Sequence, residues 1–228
     1  MTEGTRSYYD DKLSAERLKM CYEIATPRVK RYLEAELNHV LCSVHSGDSV
    51  LELGCGYGRI LPQLAGKAKL VIGIDISFAS LQLGRKMMGG IPNCLLLQMD
   101  AAELAFRSRV FDLVVCIQNG ISAFRVDWND LIRESIRVTR LGGTAVFSSY
   151  SDKFWKDRIE WFQLQSEAGL LGEIDYERTR NGDIICKDGF IATTVTQEQF
   201  MDLTSGLDAD VSVVEVDESS LFCEIKPV

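Results

Sequence analysis

The chain has 228 residues, 46% of them hydrophobic, which fits a single globular domain with a buried core and argues against two full domains. Its net charge of -8 opposes attraction to a phosphate backbone or an anionic membrane surface, so neither nucleic acid nor membrane is expected as a partner. The 7 cysteines include no C-x-x-C pair, which predicts buried free thiols and no metal site.

The first residues, Met1-Thr2-Glu3-Gly4, carry no apolar signal region. No apolar run approaches the ~18 residues that a membrane span needs. We therefore expect a cytoplasmic protein.

Residues 1–46 are predicted to form a helical arm and cover. A polar arm comes first, and Ser14 then begins a helix that ends near Thr26-Pro27. Pro27 opens a second helix, in which apolar residues recur every three or four positions from Val29 to Val44.

Residues 49–148 alternate apolar runs with helical patterns, which predicts a doubly wound, mostly parallel sheet with right-handed crossovers. The predicted strands span 49–53, 70–74, 94–98, 111–117 and 144–148. The predicted helices span 59–65, 77–85 and 128–139, and Leu141-Gly142-Gly143 is expected to be a turn.

The last third of the chain is expected to close the sheet. Residues 150–182 are rich in aromatic side chains and predict a helical insert or lid. Residues 184–187 and 190–194 are strand-like, and 211–216 with 221–225 alternate cleanly enough to predict an antiparallel hairpin. The whole chain is thus predicted to be one domain with seven strands in its sheet.

Three alternate glycines follow the first strand and predict a ligand cradle. Gly54, Gly56 and Gly58 give the backbone access to positive φ and let a ligand approach the main chain. A dinucleotide site prefers Gly-x-Gly-x-x-Gly, but Arg59 stands where its third glycine belongs. Glu52 is poorly placed beside a diphosphate but well placed beside a cationic ligand.

With these motifs in order, the chain resembles the class I S-adenosylmethionine-dependent methyltransferases, whose fold is Rossmann-like. The motifs that carry the resemblance are Glu52-Leu53-Gly54-Cys55-Gly56-Tyr57-Gly58, Gly73-Ile74-Asp75-Ile76-Ser77, Gln98-Met99-Asp100-Ala101, Phe111-Asp112-Leu113-Val114-Val115 and Leu141-Gly142-Gly143-Thr144. They lie within residues 49–148, under half of the chain.

The resemblance implies roles along the cofactor S-adenosylmethionine. Asp75 accepts the ribose hydroxyls, Ile76 packs on adenine, and Asp100 with the Ala101 N–H meets the adenine edge. The Gln118 carbonyl receives the ammonium, while Arg59, or Tyr9 or Arg17 of the arm, meets the carboxylate. The predicted cofactor-binding residues are Glu52, Gly54, Cys55, Gly56, Arg59, Asp75, Ile76, Asp100, Ala101 and Gln118.

The expected reaction is methyl transfer to a small-molecule acceptor by in-line displacement. No general base is assigned, and His39 and His45 are expected to be structural. Candidates for a base are Tyr8, Tyr9, Tyr150, Asp152 and Tyr176. A protein methyltransferase, an NAD-dependent oxidoreductase and a non-catalytic cofactor-binding protein remain alternatives, and the sequence predicts no oligomeric state.

Overall fold

The computed structural model describes Tyr8 and residues 12–228. The strands are β1 (Ser49–Leu53), β2 (Leu70–Asp75), β3 (Cys94–Gln98), β4 (Phe111–Cys116), β5 (Thr139–Tyr150), β6 (Ile184–Ile185), β7 (Ile191–Ala192), β8 (Ala209–Val216) and β9 (Ser220–Pro227). The helices are α1 (Ala15–Glu23), α2 (Pro27–Cys42), α3 (Leu61–Ala65), α4 (Phe78–Met88), α5 (Gly120–Ala123), α6 (Trp128–Val138), α7 (Trp155–Glu167) and α8 (Gln197–Thr204), with a 3-10 turn at Asp152–Phe154.

Seven strands form one sheet in the order β3-β2-β1-β4-β5-β9-β8. β1 to β5 pair in parallel, whereas β9 is antiparallel to both β5 and β8. The central strands are buried on both faces because helices cover both sides of the sheet. The predicted fold class is confirmed, including the antiparallel hairpin at the end of the chain.

The helix boundaries follow ordinary capping chemistry. The Thr26 hydroxyl accepts the Val29 N–H where α2 begins with Pro27, and the Ser77 hydroxyl accepts the Ser80 N–H at the start of α4. The predicted helix over 59–65 is shorter in the structure, because the chain turns through Gly58 to Ile60 before α3 begins.

Two further predictions about the core need correction. Leu141-Gly142-Gly143 does not form a separate turn but lies inside β5, which bulges there: Gly142 has φ +76° and the pairing with β4 shifts register between Phe111 and Leu113. The alternation of strand and helix also fails once, because residues 99–110 between β3 and β4 contain turns and no helix.

The insert is built around α7 and a small sheet. β6 and β7 pair with each other and do not join the main sheet. Their buried residues pack with α7 and with the two N-terminal helices in one apolar cluster. Trp161 fixes α7 to α1 by donating its indole N–H to the Cys21 carbonyl at 2.8 Å.

The two histidines lie away from the end of the sheet at which the strand carboxyl termini meet. His39 of α2 contacts Glu224 of β9 at 2.9 Å, and His45 contacts Asp48 just before β1. Among the described residues, no helix combines the length and apolar character required to span a bilayer.

Candidate functional site

A cavity of about 180 Å³ opens where the loops leave β1, β2, β3 and β4. Ligands of open α/β sheets bind at this edge, outside the carboxyl ends of the strands. All ten residues predicted to bind cofactor line the cavity: Glu52, Gly54, Cys55, Gly56, Arg59, Asp75, Ile76, Asp100, Ala101 and Gln118.

The glycine loop after β1 is fixed against the end of β2. The Cys55 N–H donates to the Ile74 carbonyl at 2.9 Å, and the Gly56 N–H donates to Asp75 Oδ2 at 2.8 Å. Gly54 and Gly56 have φ of +68° and +56°, which side-chain-bearing residues rarely adopt. The loop therefore presents main chain, with no Cβ, to the cavity.

Asp75 supports the loop, and its side chain also lines the cavity. Its Oδ1 accepts the Ser77 N–H at 2.8 Å, while Oδ2 accepts the Gly56 N–H. These hydrogen bonds fix the direction in which the carboxylate points. A carboxylate is an acceptor suited to hydroxyl donors such as those of a ribose.

The cavity is also lined by Ile76, Asp100 and Ala101. Ile76 is 40% exposed, an apolar surface suited to an aromatic base. Asp100 Oδ1 accepts the Ala102 N–H at 2.9 Å, which orients the carboxylate. Ala101 itself is buried.

Two ionic side chains that line the cavity, Glu52 and Arg59, carry buried polar atoms with no hydrogen-bond partner in the described part of the chain. Burial raises the pKa of Glu52 to about 8; the Arg59 guanidinium opposes this rise and Asp75 reinforces it. Glu52 Oε2 has no hydrogen-bond partner among the described residues, and the same holds for Arg59 Nε and Nη2. Burying polar atoms without hydrogen bonds is unfavourable for folding, and a ligand that supplies the missing partners removes this cost.

Arg59 is positioned by stacking. Its guanidinium carbon lies 4.8 Å from the centre of the Tyr22 ring, within the range of a cation–π contact. Arg17, the alternative partner predicted for a carboxylate, instead donates to the Gly169 and Leu170 carbonyls and does not line the cavity. Tyr9, the other alternative, lies outside the described residues.

The loop after β4 is held by hydrogen bonds to three other parts of the chain. Gln118 and Asn119 both have φ of +58°. The Gln118 N–H donates to Glu36 Oε2 at 2.9 Å, and its side-chain oxygen accepts the Tyr22 hydroxyl at 2.9 Å. Asn119 is buried and donates to the Thr193 carbonyl at 2.8 Å.

Side chains from α1, β5 and α7, most of them aromatic, also line the cavity. This group, the aromatic lining, comprises Tyr22, Tyr150, Trp161, Phe162 and Gln165. Burial raises the pKa of Tyr22 and of Tyr150, so both phenols stay protonated at neutral pH. The aromatic lining is therefore largely apolar, with a few neutral hydrogen-bonding groups.

Of the candidates for a general base, Tyr150 is the one among the described residues that lines the cavity. Tyr8 donates its hydroxyl to Asp188 at 2.6 Å, outside the cavity. Asp152 and Tyr176 are exposed and lie elsewhere, and Tyr9 is outside the described residues.

Sequence reasoning missed the contribution of α1 and of the segment after α5. Leu13, Leu18, Cys21 and Tyr22 line the cavity, as does Phe124. A Cβ on Gly54 would lie 2.4 Å from Phe124, and one on Gly56 would lie 2.9 Å from Leu18, so both side chains lie directly over the glycine loop. No motif marks these positions, since they reach the loop only through tertiary packing.

Comparison with known proteins agrees with this geometry. The family described as methyltransferase domain matches residues 50–143, the span from β1 into β5. A malonyl-[acyl-carrier protein] O-methyltransferase of Legionella pneumophila is 28% identical over 153 residues, covering 65% of this chain and 52% of that protein. A demethylmenaquinone methyltransferase of Thermobifida fusca is 31% identical over 109 residues, covering 47% of this chain and 45% of that protein.

The chain thus spans about half the length of these curated relatives. Among solved structures, a SAM-dependent methyltransferase from Methanosarcina mazei superposes with a TM-score of 0.60 at 19% identity. That superposition covers 83% of this chain and 97% of the other, which shows a shared fold. The chain is thus similar to methyltransferases over residues 50–143 and shares the fold of a SAM-dependent methyltransferase.

Proposed function

We propose that this chain binds S-adenosylmethionine in the cavity and catalyses transfer of its methyl group to a small-molecule acceptor. The observation that carries the proposal is the pair of incomplete ionic groups, Glu52 and Arg59, in one wall. The amino-acid end of the cofactor supplies an ammonium for Glu52 and a carboxylate for Arg59. A dinucleotide supplies no ammonium, and its diphosphate would be repelled by Glu52 once that carboxyl is ionised.

The other residues divide along the cofactor. Asp75, whose carboxylate is oriented by the Gly56 and Ser77 N–H groups, receives the ribose hydroxyls. Ile76 and Ala101 enclose the adenine face, and Asp100 accepts from its amino group. The methionine portion is placed alongside the glycine loop, beside Cys55 and near Gln118. Phe124 and Leu18, which pack against Gly54 and Gly56, must move for it to contact the glycine main chain.

The cofactor supplies an activated methyl group whose sulfur departs as a neutral thioether. The chain therefore mainly has to align the acceptor and exclude water. Leu18 and Phe124, which lie over the glycine loop, and the aromatic lining are proposed to exclude water. No described residue is assigned as a general base.

The acceptor is proposed to be small because the cavity that must hold it beside the cofactor is about 180 Å³ and has the aromatic lining. The relatives are named for different acceptors, a malonyl-[acyl-carrier protein] and a demethylmenaquinone, so no single substrate carries over. The net charge of -8 argues against a nucleic acid partner. A cytoplasmic location is also proposed, on the support of 7 free cysteines.

The test is a methyl-transfer screen with the full chain, cofactor labelled at the methyl group, and acceptors drawn from carboxylic acids, quinols, thiols and amines. We expect label to pass to one class, and Arg59→Met to abolish that transfer at low cofactor concentration. Binding of S-adenosylhomocysteine with no transfer to any class would instead support a non-catalytic cofactor-binding protein.

A further inference from the structure

Glu36 is a fully buried carboxylate that lies outside the cavity and connects three parts of the fold. It belongs to α2 and has 0% exposure. Its Oε2 accepts the Gln118 N–H at 2.9 Å, and its Oε1 accepts the Ser220 hydroxyl at 2.8 Å. One side chain therefore joins the cover helix, the first residue of β9 and the loop that leaves β4.

This placement is unfavourable for stability alone. Burial raises the pKa of Glu36 to about 7, against the effect of the hydrogen bonds that it accepts. Buried carboxyl groups without a hydrogen-bonded cation are generally less favourable than a well-packed apolar side chain of similar size. The geometry of the loop that it holds gives a reason for an acid at this position.

That loop adopts a backbone that needs support. Gln118 and Asn119 are consecutive residues with φ of +58°. The left-handed region is unfavourable by roughly 1–2 kcal/mol for each residue with a side chain, so it persists only where neighbours hold it. Glu36 binds the Gln118 N–H, Tyr22 binds the Gln118 side chain, and Asn119 is bonded to the Thr193 carbonyl.

Gln118 lines the cofactor cavity beside Glu52 and Arg59, at the end proposed above for the amino-acid group. We propose that Glu36 is a positioning residue: by holding the Gln118 N–H it places this loop against the amino-acid end of the cofactor. The inference rests on the proposed function. The adenosine end is proposed to contact other loops, so its binding should not depend on Glu36.

The test compares two ligands by calorimetry on the full chain. S-Adenosylhomocysteine carries the amino-acid end, whereas 5′-methylthioadenosine keeps the adenosine and sulfur and lacks it. Glu36→Met fills the same space without an acceptor. We expect it to weaken S-adenosylhomocysteine binding about tenfold, the loss of one charged hydrogen bond, and to leave 5′-methylthioadenosine within about twofold.

Glu36→Gln is the rescue variant. Its amide oxygen accepts the Gln118 N–H and its amide nitrogen donates to the Ser220 hydroxyl, so affinity should return to within about threefold of the wild type. Glu224→Ala is the matched control, because it breaks the contact of Glu224 with His39, a different link between α2 and β9. It should change neither affinity.

Equal weakening of both ligands by Glu36→Met, or failure of Glu36→Gln to restore binding, would overturn the inference. If Glu36→Met does not fold, Ser220→Ala replaces it, with a loss of about threefold expected for S-adenosylhomocysteine alone; no loss, or an equal loss for both ligands, would overturn the inference. Failure of the wild-type chain to bind S-adenosylhomocysteine would instead contradict the proposed function itself.

Discussion

Glu52 and Arg59 face one cavity from the two ends of the glycine loop, and each has buried polar atoms that no described residue satisfies. No direct ion pair joins them among the described contacts, so the Arg59 guanidinium favours the ionised form of Glu52 only from a distance. An arrangement of this kind is complementary to a zwitterion, with the carboxylate placed for an ammonium and the guanidinium for a carboxylate.

Cofactor affinity should depend on pH through Glu52. Burial raises the pKa of this carboxyl to about 8, so the ligand-free protein holds it largely protonated at pH 6. An ammonium ligand binds the ionised form, and binding must then release the proton. We expect affinity for S-adenosylhomocysteine to rise by up to about tenfold between pH 6 and pH 7, measured by calorimetry.

Glu52→Gln supplies the control for this dependence, since it removes the titrating group and should flatten the profile. The same variant should change ligand-free stability. Between the usual glutamate pKa and about 8, the native state holds more protons than the unfolded state, so stability falls as pH rises. A steep affinity profile that survives in Glu52→Gln would exclude this role for Glu52.

Arg59 should discriminate between ligands that do and do not carry a carboxylate. Arg59→Met keeps an unbranched stem against Tyr22 and removes the guanidinium. We expect it to weaken the binding of S-adenosylhomocysteine by roughly 1.5–3 kcal/mol, the range for hydrogen bonds to charged groups. The binding of 5′-methylthioadenosine should be nearly unchanged. Arg17→Met is the matched control, because Arg17 bonds to the insert and not to the cavity. Equal effects on both ligands would refute the assignment.

Asp75 should contribute through the adenosine end. Asp75→Ala removes the carboxylate offered to the ribose, and we expect both S-adenosylhomocysteine and 5′-methylthioadenosine to weaken by roughly 1–3 kcal/mol. Asp75→Asn separates two roles, since an amide oxygen can still accept the Gly56 N–H but provides fewer acceptor sites for hydroxyls. Unchanged affinity of the alanine variant for both ligands would contradict the assignment of Asp75 to the ribose.

Gly84 tests the close contact between α4 and the glycine loop. Alanine is normally preferred over glycine inside a helix by about 1 kcal/mol. Here a Cβ would lie 2.8 Å from the Tyr57 carbonyl oxygen, a backbone atom that cannot swing away. We expect Gly84→Ala to destabilise the protein by about 1–3 kcal/mol in chemical denaturation. Gly47→Ala, with nothing within 4 Å, should be close to neutral; similar values for both variants would count against this packing.

The strands of the core and the polar residues at their ends were predictable because they are local signals. Asp75 and Asp100 each end an apolar run, and parallel strands bring such ends to one edge. The bulge at Gly142 was not predictable, since two glycines after a helix are also typical of a stop. Only the pairing of β5 with β4 distinguishes the two.

The part of the site around Tyr22 and Gln118 depends on contacts between residues that are distant in sequence. Tyr22 meets Gln118 and Arg59 across 96 and 37 positions, and Glu36 meets Gln118 across 82. In the sequence, Tyr22 belongs to an ordinary predicted helix. Glu36 stands among the charged residues of the next helix, a pattern typical of a solvent-exposed side. The structure places Glu36 in the core, because the opposing loop and Ser220 supply donors that no local pattern indicates.

The cavity is proposed to bind an adenosyl amino acid and not a dinucleotide. Calorimetric titration of the full chain with S-adenosylhomocysteine and, separately, with NAD distinguishes the two. We predict saturable binding of one S-adenosylhomocysteine per chain and no measurable heat with NAD. Saturable binding of NAD together with no binding of S-adenosylhomocysteine would contradict it.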